Sequence, residues 1–237
     1  SSAPPATAAP ATPDTSATSV KPDTSATPDT SATPDTGATR DTAAPDTSDA
    51  SDATDAPGSG DSPATTAVIG PDDRPVTLFV PSGYDPTVPA PLVVLLHGYT
   101  ASGDAQEAYF RVQAEADARG YLYLHPDGTI DALGNQFWNA TDACCDFVDT
   151  GVDDVSYLEG LVAEVSEQYA VDPARVYLLG HSNGGFMSYR MACEAAGTFA
   201  AIVSLAGATY VDADDCDPSE PVSVVQIHGT ADQVVAY

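Results

Sequence analysis

Val176-Tyr177-Leu178-Leu179-Gly180-His181-Ser182-Asn183-Gly184-Gly185-Phe186-Met187 is the stretch on which the reading of the fold turns. It opens as a short apolar strand, passes through a Gly-x-Ser-x-Gly turn, and continues in a helix through Phe186, Met187 and Arg190 towards Gly197. A strand that runs straight into a helix must reverse its backbone within a few residues. Glycine at 180 and 184 lets two backbones pass closely while the serine is held above the end of the strand. The pentapeptide alone is common by coincidence. Between a strand and a helix it marks Ser182 as a candidate nucleophile on a doubly wound α/β sheet.

Outward from this turn the same alternation continues. Strands are expected at 75–80, 92–96, 121–124, 176–179, 201–205 and 222–227. Most are uninterrupted apolar runs, as strands covered on both faces should be. Between them, residues 105–118 are rich in Ala and Glu and stop at Gly120, which predicts one helix. Val155, Leu158, Val162, Val165 and Tyr169, three and four apart, predict a second, capped by Asp153 or Asp154 and ended by Asp172-Pro173. The result is a mostly parallel α/β domain over residues 67–237.

A serine nucleophile needs amide donors for the oxyanion it creates, and a base held by an acid. Leu96-His97-Gly98-Tyr99-Thr100 closes the strand at 92–96. The loop after that strand and the residue after the nucleophile supply the donors in hydrolases of this architecture, which nominates the backbone N–H groups of Tyr99 and Asn183. His97-Gly98 reads equally well as an ordinary tight strand exit. Further on, a strand through Ile227 leads into His228-Gly229-Thr230-Ala231-Asp232. Chain order in this fold runs serine, acid, histidine, so Asp232 is the candidate triad acid.

Composition separates this domain from what precedes it. Residues 1–66 hold 10 of the 20 prolines, no aromatic residue and one large aliphatic, Val20, so they build no core. A hexad Pro-Asp-Thr-Ser-Ala-Thr recurs from Pro13, Pro22 and Pro28, which reads as a disordered, extended spacer. Ten Asp against Lys21 and Arg40 give it a net charge of -8; the rest carries 25 acids against five Arg and no lysine, net -20. A total of -28 repels phosphate backbones and argues against nucleic acid as a partner. No run reaches the roughly 18 apolar residues of a membrane helix. The chain begins at Ser1, from which a removed leader, or one outside this sequence, is expected.

Cys144, Cys145, Cys193 and Cys216 all lie in the folded part, and an even count points to two disulfides. Adjacent cysteines rarely bond each other, so Cys144 and Cys145 are expected to pair with Cys193 and Cys216, in either arrangement. Metal-ligand spacings are missing, and Asp149, Asp153 and Asp154 do not follow a calcium loop; neither cofactor nor metal is expected. Asn139-Ala140-Thr141 is a formal glycosylation sequon. Trp138, the only tryptophan, is expected to line the cleft and stack on an aromatic acyl group.

Taken in order, Leu96-His97-Gly98, His125-Pro126-Asp127-Gly128, Trp138-Asn139-Ala140, Cys144-Cys145, Val152-Asp153-Asp154-Val155, the turn at 180–184 and His228-Gly229-Thr230-Ala231-Asp232 carry a resemblance. Over residues 74–237 the chain resembles secreted esterases that include feruloyl esterases, polyhydroxybutyrate depolymerases and LpqC-type lipoproteins. The resemblance implies an α/β-hydrolase fold with Ser182 as nucleophile, Asp232 as triad acid and Tyr99 as oxyanion donor. It also implies an exported, monomeric enzyme acting on phenolic esters of plant polysaccharide such as xylan, or on polyester. One departure matters. The triad histidine should follow the acid, yet His97, His125, His181 and His228 all precede Asp232. The domain is therefore expected to be C-terminally incomplete, with the histidine outside this sequence and the piece as given inactive. A serine peptidase of the same fold and a non-catalytic envelope-anchored module are the rival readings.

Overall fold

The computed structural model describes residues 62–236, so residues 1–61 of the expected spacer lie outside the described residues. The elements are β1 (Thr65–Ile69), β2 (Val76–Val80), β3 (Ala90–Leu96), α1 (Gly103–Phe110), α2 (Val112–Arg119), β4 (Leu122–Leu124), β5 (Thr129–Ile130), β6 (Gln136–Phe137), α3 (Asp154–Gln168), β7 (Val171–His181), α4 (Asn183–Glu194), β8 (Ala201–Leu205) and β9 (Ser223–Ile227). A 3₁₀ turn at Ala213–Asp215 precedes β9.

Seven strands form one sheet in the order β1-β2-β4-β3-β7-β8-β9. The pairs β4/β3, β3/β7, β7/β8 and β8/β9 are parallel, and β1/β2 and β2/β4 are antiparallel. From β3 the chain moves outward to β4 and then returns to the opposite side of β3 as β7. That reversal makes the carboxyl ends of β3 and β7 a topological switch point, the place where ligands of doubly wound sheets bind. A separate two-stranded ribbon, β5 with β6, lies between β4 and α3 in the chain.

The apolar runs divide by pleat. Leu92, Val94 and Leu96 of β3 join a core with Leu158, Leu161 and Val165 of α3 and Phe186, Met187 and Met191 of α4. Val93 and Leu95 face a smaller cluster with Phe79, Tyr123 and Ala116 of α2. Each fully buried aliphatic side chain contributes about 1.5–3 kcal/mol, so the larger cluster fixes α4, and with it the turn that precedes α4.

The structure departs from the expected elements in several places, among them the β5–β6 ribbon, which was not expected, and β7, which begins at Val171. The helix expected at 105–118 is two helices, broken at Arg111, whose φ of 58° is left-handed. The break is held by Glu107: its carboxylate accepts the N–H of Val112 at 3.1 Å and of Gln113 at 3.1 Å, capping α2 from a full turn upstream. The second helix is capped by Asp153, which accepts from Ser156 N, but it ends at Tyr169, ahead of Asp172-Pro173. β1 was not expected; it folds back on β2 across Gly70, φ 90°, in the register Thr65↔Val80 to Ile69↔Val76.

Candidate active site

Ser182 lies between β7 and α4 with φ 53° and ψ −119°, a conformation that costs a non-glycine residue about 1–3 kcal/mol and persists only when its surroundings enforce it. Those surroundings are explicit. The Ser182 N–H donates to Leu205 O of β8 at 2.8 Å, and its carbonyl accepts from Phe186 N at 3.0 Å. A side chain at Gly180 would strike the Gly184 carbonyl, and one at Gly184 would strike the carbonyls of Leu96 and His97. The two glycines therefore let the turn sit against both its own helix and the end of β3.

The loop after β3 runs beside the serine. A Cβ placed on Gly98 would stand 3.3 Å from the Ser182 Cβ. The next residue, Tyr99, is tied by its hydroxyl to the β5–β6 ribbon: it donates to Asp131 Oδ2 at 2.7 Å and accepts from Asn135 Nδ2 at 3.2 Å. The hydrogen bond to Asp131 holds the Tyr99 phenol above its ordinary range. Asn183 opens α4, so its N–H belongs to the first turn, where amides have no intrahelical acceptor. Ser182, the Gly98–Tyr99 segment and Asn183 thus meet at the carboxyl ends of β3 and β7.

Asp232 stands on the loop after β9, at the same carboxyl edge of the sheet. Its Oδ1 accepts from Val234 N at 2.9 Å and Val235 N at 3.1 Å, and these amides hold its carboxyl below the usual carboxylate range. Its other oxygen lies 3.7 Å from His228 Nε2. The histidines are engaged elsewhere. His97 is fully buried; its Nε2 accepts from Gly128 N at 2.8 Å, which leaves the proton on Nδ1 facing Gly98 O, and burial pushes its pKa down. His181 has its Nδ1 3.2 Å from Gln106 Oε1 and its ring stacked on Tyr109. His228 faces Gln226 through Nδ1 and Val235 O through Nε2, and His125 approaches Asp104.

Two expectations need correction. Trp138 is 0% exposed and forms no part of the cleft wall; its indole Nε1 donates to His97 O at 3.1 Å, so the polar handle is satisfied inside the core. The cysteine pairing is also different: Cys144 bonds Cys145, and Cys193 bonds Cys216. α4 and the 3₁₀ turn bring the Cα atoms of Cys193 and Cys216 to 5.1 Å, within bridging range, which removes both as partners for the adjacent pair. The sequon is packed away as well, with Asn139 Nδ2 donating to Val152 O at 2.8 Å and Thr141 buried.

Several residues at the site were not singled out from the sequence. The Asn183 side chain is held in its own right, its Oδ1 accepting from Trp138 N at 2.7 Å. Asp154 is fully buried and meets Arg74 at 2.6 Å, while its Oδ2 accepts from Asn139 N at 2.7 Å. Arg74 in turn covers the rings of Tyr157 and Trp138. The signal lay in the doublet Asp153-Asp154: one carboxylate caps α3, and its neighbour, a turn-facing charge with no capping duty, needed one of the few arginines. A cavity of about 360 Å³ lined by Cys144, Cys145, Asp146, Arg190 and Tyr210 adjoins this segment. Among the described residues no group of three His, Cys, Asp or Glu is placed to hold a metal ion.

Known proteins resemble the chain at several levels. The sequence profile of the prolyl oligopeptidase family matches residues 107–237. Feruloyl esterase B of Piromyces equi is 31% identical over 167 residues, covering 69% of this chain and 30% of that protein. A putative esterase, NocK, of Nocardia uniformis subsp. tsuyamanensis is 32% identical over 142 residues, 60% of this chain and 40% of its own length. The chain thus spans well under half of either relative. Among solved structures, an acetyl xylan esterase from Aspergillus awamori superposes with a TM-score of 0.50 at 18% identity, over 66% of this chain and 57% of that one, a likeness of fold.

Proposed function

The chain belongs to the prolyl oligopeptidase family and has the α/β-hydrolase fold, and from that premise we propose that it carries the core of a serine carboxylic ester hydrolase. The observation that bears most weight is the Ser182 backbone, held at φ 53° between β7 and α4. In the proposed reaction Ser182 Oγ attacks the ester carbonyl carbon and gives up its proton to a base. The amides of Tyr99 and Asn183 stabilise the oxyanion, the C–O bond to the alcohol breaks as the alcohol takes up the proton, and water then releases the acid from the acyl-serine. Asp232 orients the base, an imidazole in this chemistry. None of the chain's four histidines is assigned that part, and the activity is proposed for the whole protein.

Relatives named as feruloyl and acetylxylan esterases support, as the substrate class, phenolic or related esters on plant polysaccharide; hydroxyalkanoate polyester is the alternative. Export from the cytoplasm fits two disulfides within the described residues. Residues 1–66 act as a spacer and 67–237 as the catalytic domain in this reading.

The test uses the full-length protein and its Ser182→Ala variant on p-nitrophenyl butyrate, methyl ferulate and a hydroxybutyrate oligomer. The substitution is expected to cost about 10³-fold or more in rate. Equal rates in the two proteins would sink the proposal, and preference for methyl ferulate selects the phenolic class. The name of the matching family favours one second reading, a serine peptidase. Cleavage of a prolyl p-nitroanilide faster than of any ester, lost in Ser182→Ala, would replace ester by amide hydrolysis.

A further inference from the structure

The two amides assigned to the oxyanion belong to separate segments, the loop after β3 and the first turn of α4, and their spacing depends on what joins those segments. Trp138 joins both. Its indole Nε1 donates to the carbonyl of His97 at 3.1 Å, two residues before Tyr99. On its other side the Trp138 N–H donates to Asn183 Oδ1 at 2.7 Å, and its carbonyl accepts from Asn183 Nδ2 at 3.0 Å. All three residues are fully buried, so water does not compete for these bonds. Neither end is adjustable. The His97 ring is fixed by Gly128 N at 2.8 Å, and the chain beyond Trp138 is fixed where Asn139 N meets the Asp154 carboxylate that Arg74 pairs.

We propose that Trp138 is a positioning residue: through the His97 carbonyl and the Asn183 side chain it sets the separation of the Tyr99 and Asn183 amides, and so governs how well the transition state is held. This rests on the serine-hydrolase reading above. An indole that touched substrate would alter binding of the ground state. One that spaces the donors alters the rate of the chemical step and leaves ground-state binding nearly as it was.

The experiment uses two variants of the full-length protein. Trp138→Phe keeps a ring in the core but deletes the donor to His97. Asn183→Asp keeps Oδ1 and the backbone amide but deletes the donor to the Trp138 carbonyl. For each, kcat and KM on p-nitrophenyl butyrate are measured per titrated active site, together with the Ki of phenylboronic acid, which takes the Ser182 oxygen onto boron with loss of the serine proton and places a B–O group in the oxyanion position. Both variants are expected to lower kcat about 10- to 100-fold with KM within about twofold, and to raise the boronate Ki in parallel. Unchanged kcat and Ki, with only a lower melting temperature, would overturn the inference and make Trp138 a bracing residue. Where Trp138→Phe does not fold, Asn183→Asp alone decides. Ser182→Ala separates the two levels: if it retains hydrolysis the serine reading fails, and if it abolishes hydrolysis while both variants keep wild-type kcat and Ki, only the positioning inference fails.

Discussion

At the scale of single residues the site is legible where backbone geometry is demanding and illegible where packing decides. Gly180, Ser182 and Gly184 announce themselves because so few side chains tolerate that turn. Trp138 does not, since a tryptophan is equally at home on a cleft wall and in a core; what settles it is the distant carbonyl of His97 that takes its N–H. His97, which the sequence leaves open as an ordinary strand exit, is structural in the fold, its Nε2 taken by Gly128 N. Burial depresses its pKa from 6.5, so as the pH falls below that value the unfolded chain takes up a proton that the folded one refuses. The stability His97 confers is fully present above 6.5 and declines as the pH drops towards its folded pKa. Urea denaturation between pH 7 and pH 5 should therefore show a falling free energy, with one such group contributing at most about 1.4 kcal/mol per pH unit. In His97→Gln the slope should shrink without vanishing, because burial also depresses His181. An unchanged slope would remove His97 as a contributor.

Among elements, the strands flanking the serine were readable because continuous apolar runs between polar breaks have few other homes. The helices were less so. Residues 105–118 have the composition of a single helix, and only the long reach of Glu107 to the amides of Val112 and Gln113 divides them. β1 escaped because its apolar run, Ala67-Val68-Ile69, is only three residues long, and three of the strand's five residues are exposed. The disulfides escaped for a related reason: which thiols meet depends on where α4 ends relative to the 3₁₀ turn. The two bridges differ in what they restrain. Cys193–Cys216 closes a loop with a sequence separation of 23, whereas Cys144–Cys145 closes none. Replacing Cys193 and Cys216 together by Ser is expected to lower the unfolding free energy by about 3 kcal/mol in denaturant titration. The same change at Cys144 and Cys145 should cost much less. Equal losses would mean that loop closure is not the source.

At the scale of the sheet, β1 and β9 are the two edge strands among the described residues, and Val224, Val225 and Ile227 of β9 are 46%, 51% and 52% exposed. An apolar edge with unpaired backbone groups invites pairing with another chain. The 237-residue chain, purified alone, is expected to run as associated species in light-scattering chromatography, and Val225→Lys to move it towards a monomer. A monodisperse parent would refute this. Charge is distributed just as unevenly. Arg74, Arg119, Arg175 and Arg190 each meet a carboxylate, and the single lysine of the sequence, Lys21, stands in the Pro-rich stretch. Acylating reagents directed at primary amines therefore find no side chain to modify anywhere in residues 67–237. Coupling of this 237-residue chain to an activated resin through Lys21 would tether it by the Pro-rich stretch, leaving the side chains of residues 67–237 chemically untouched.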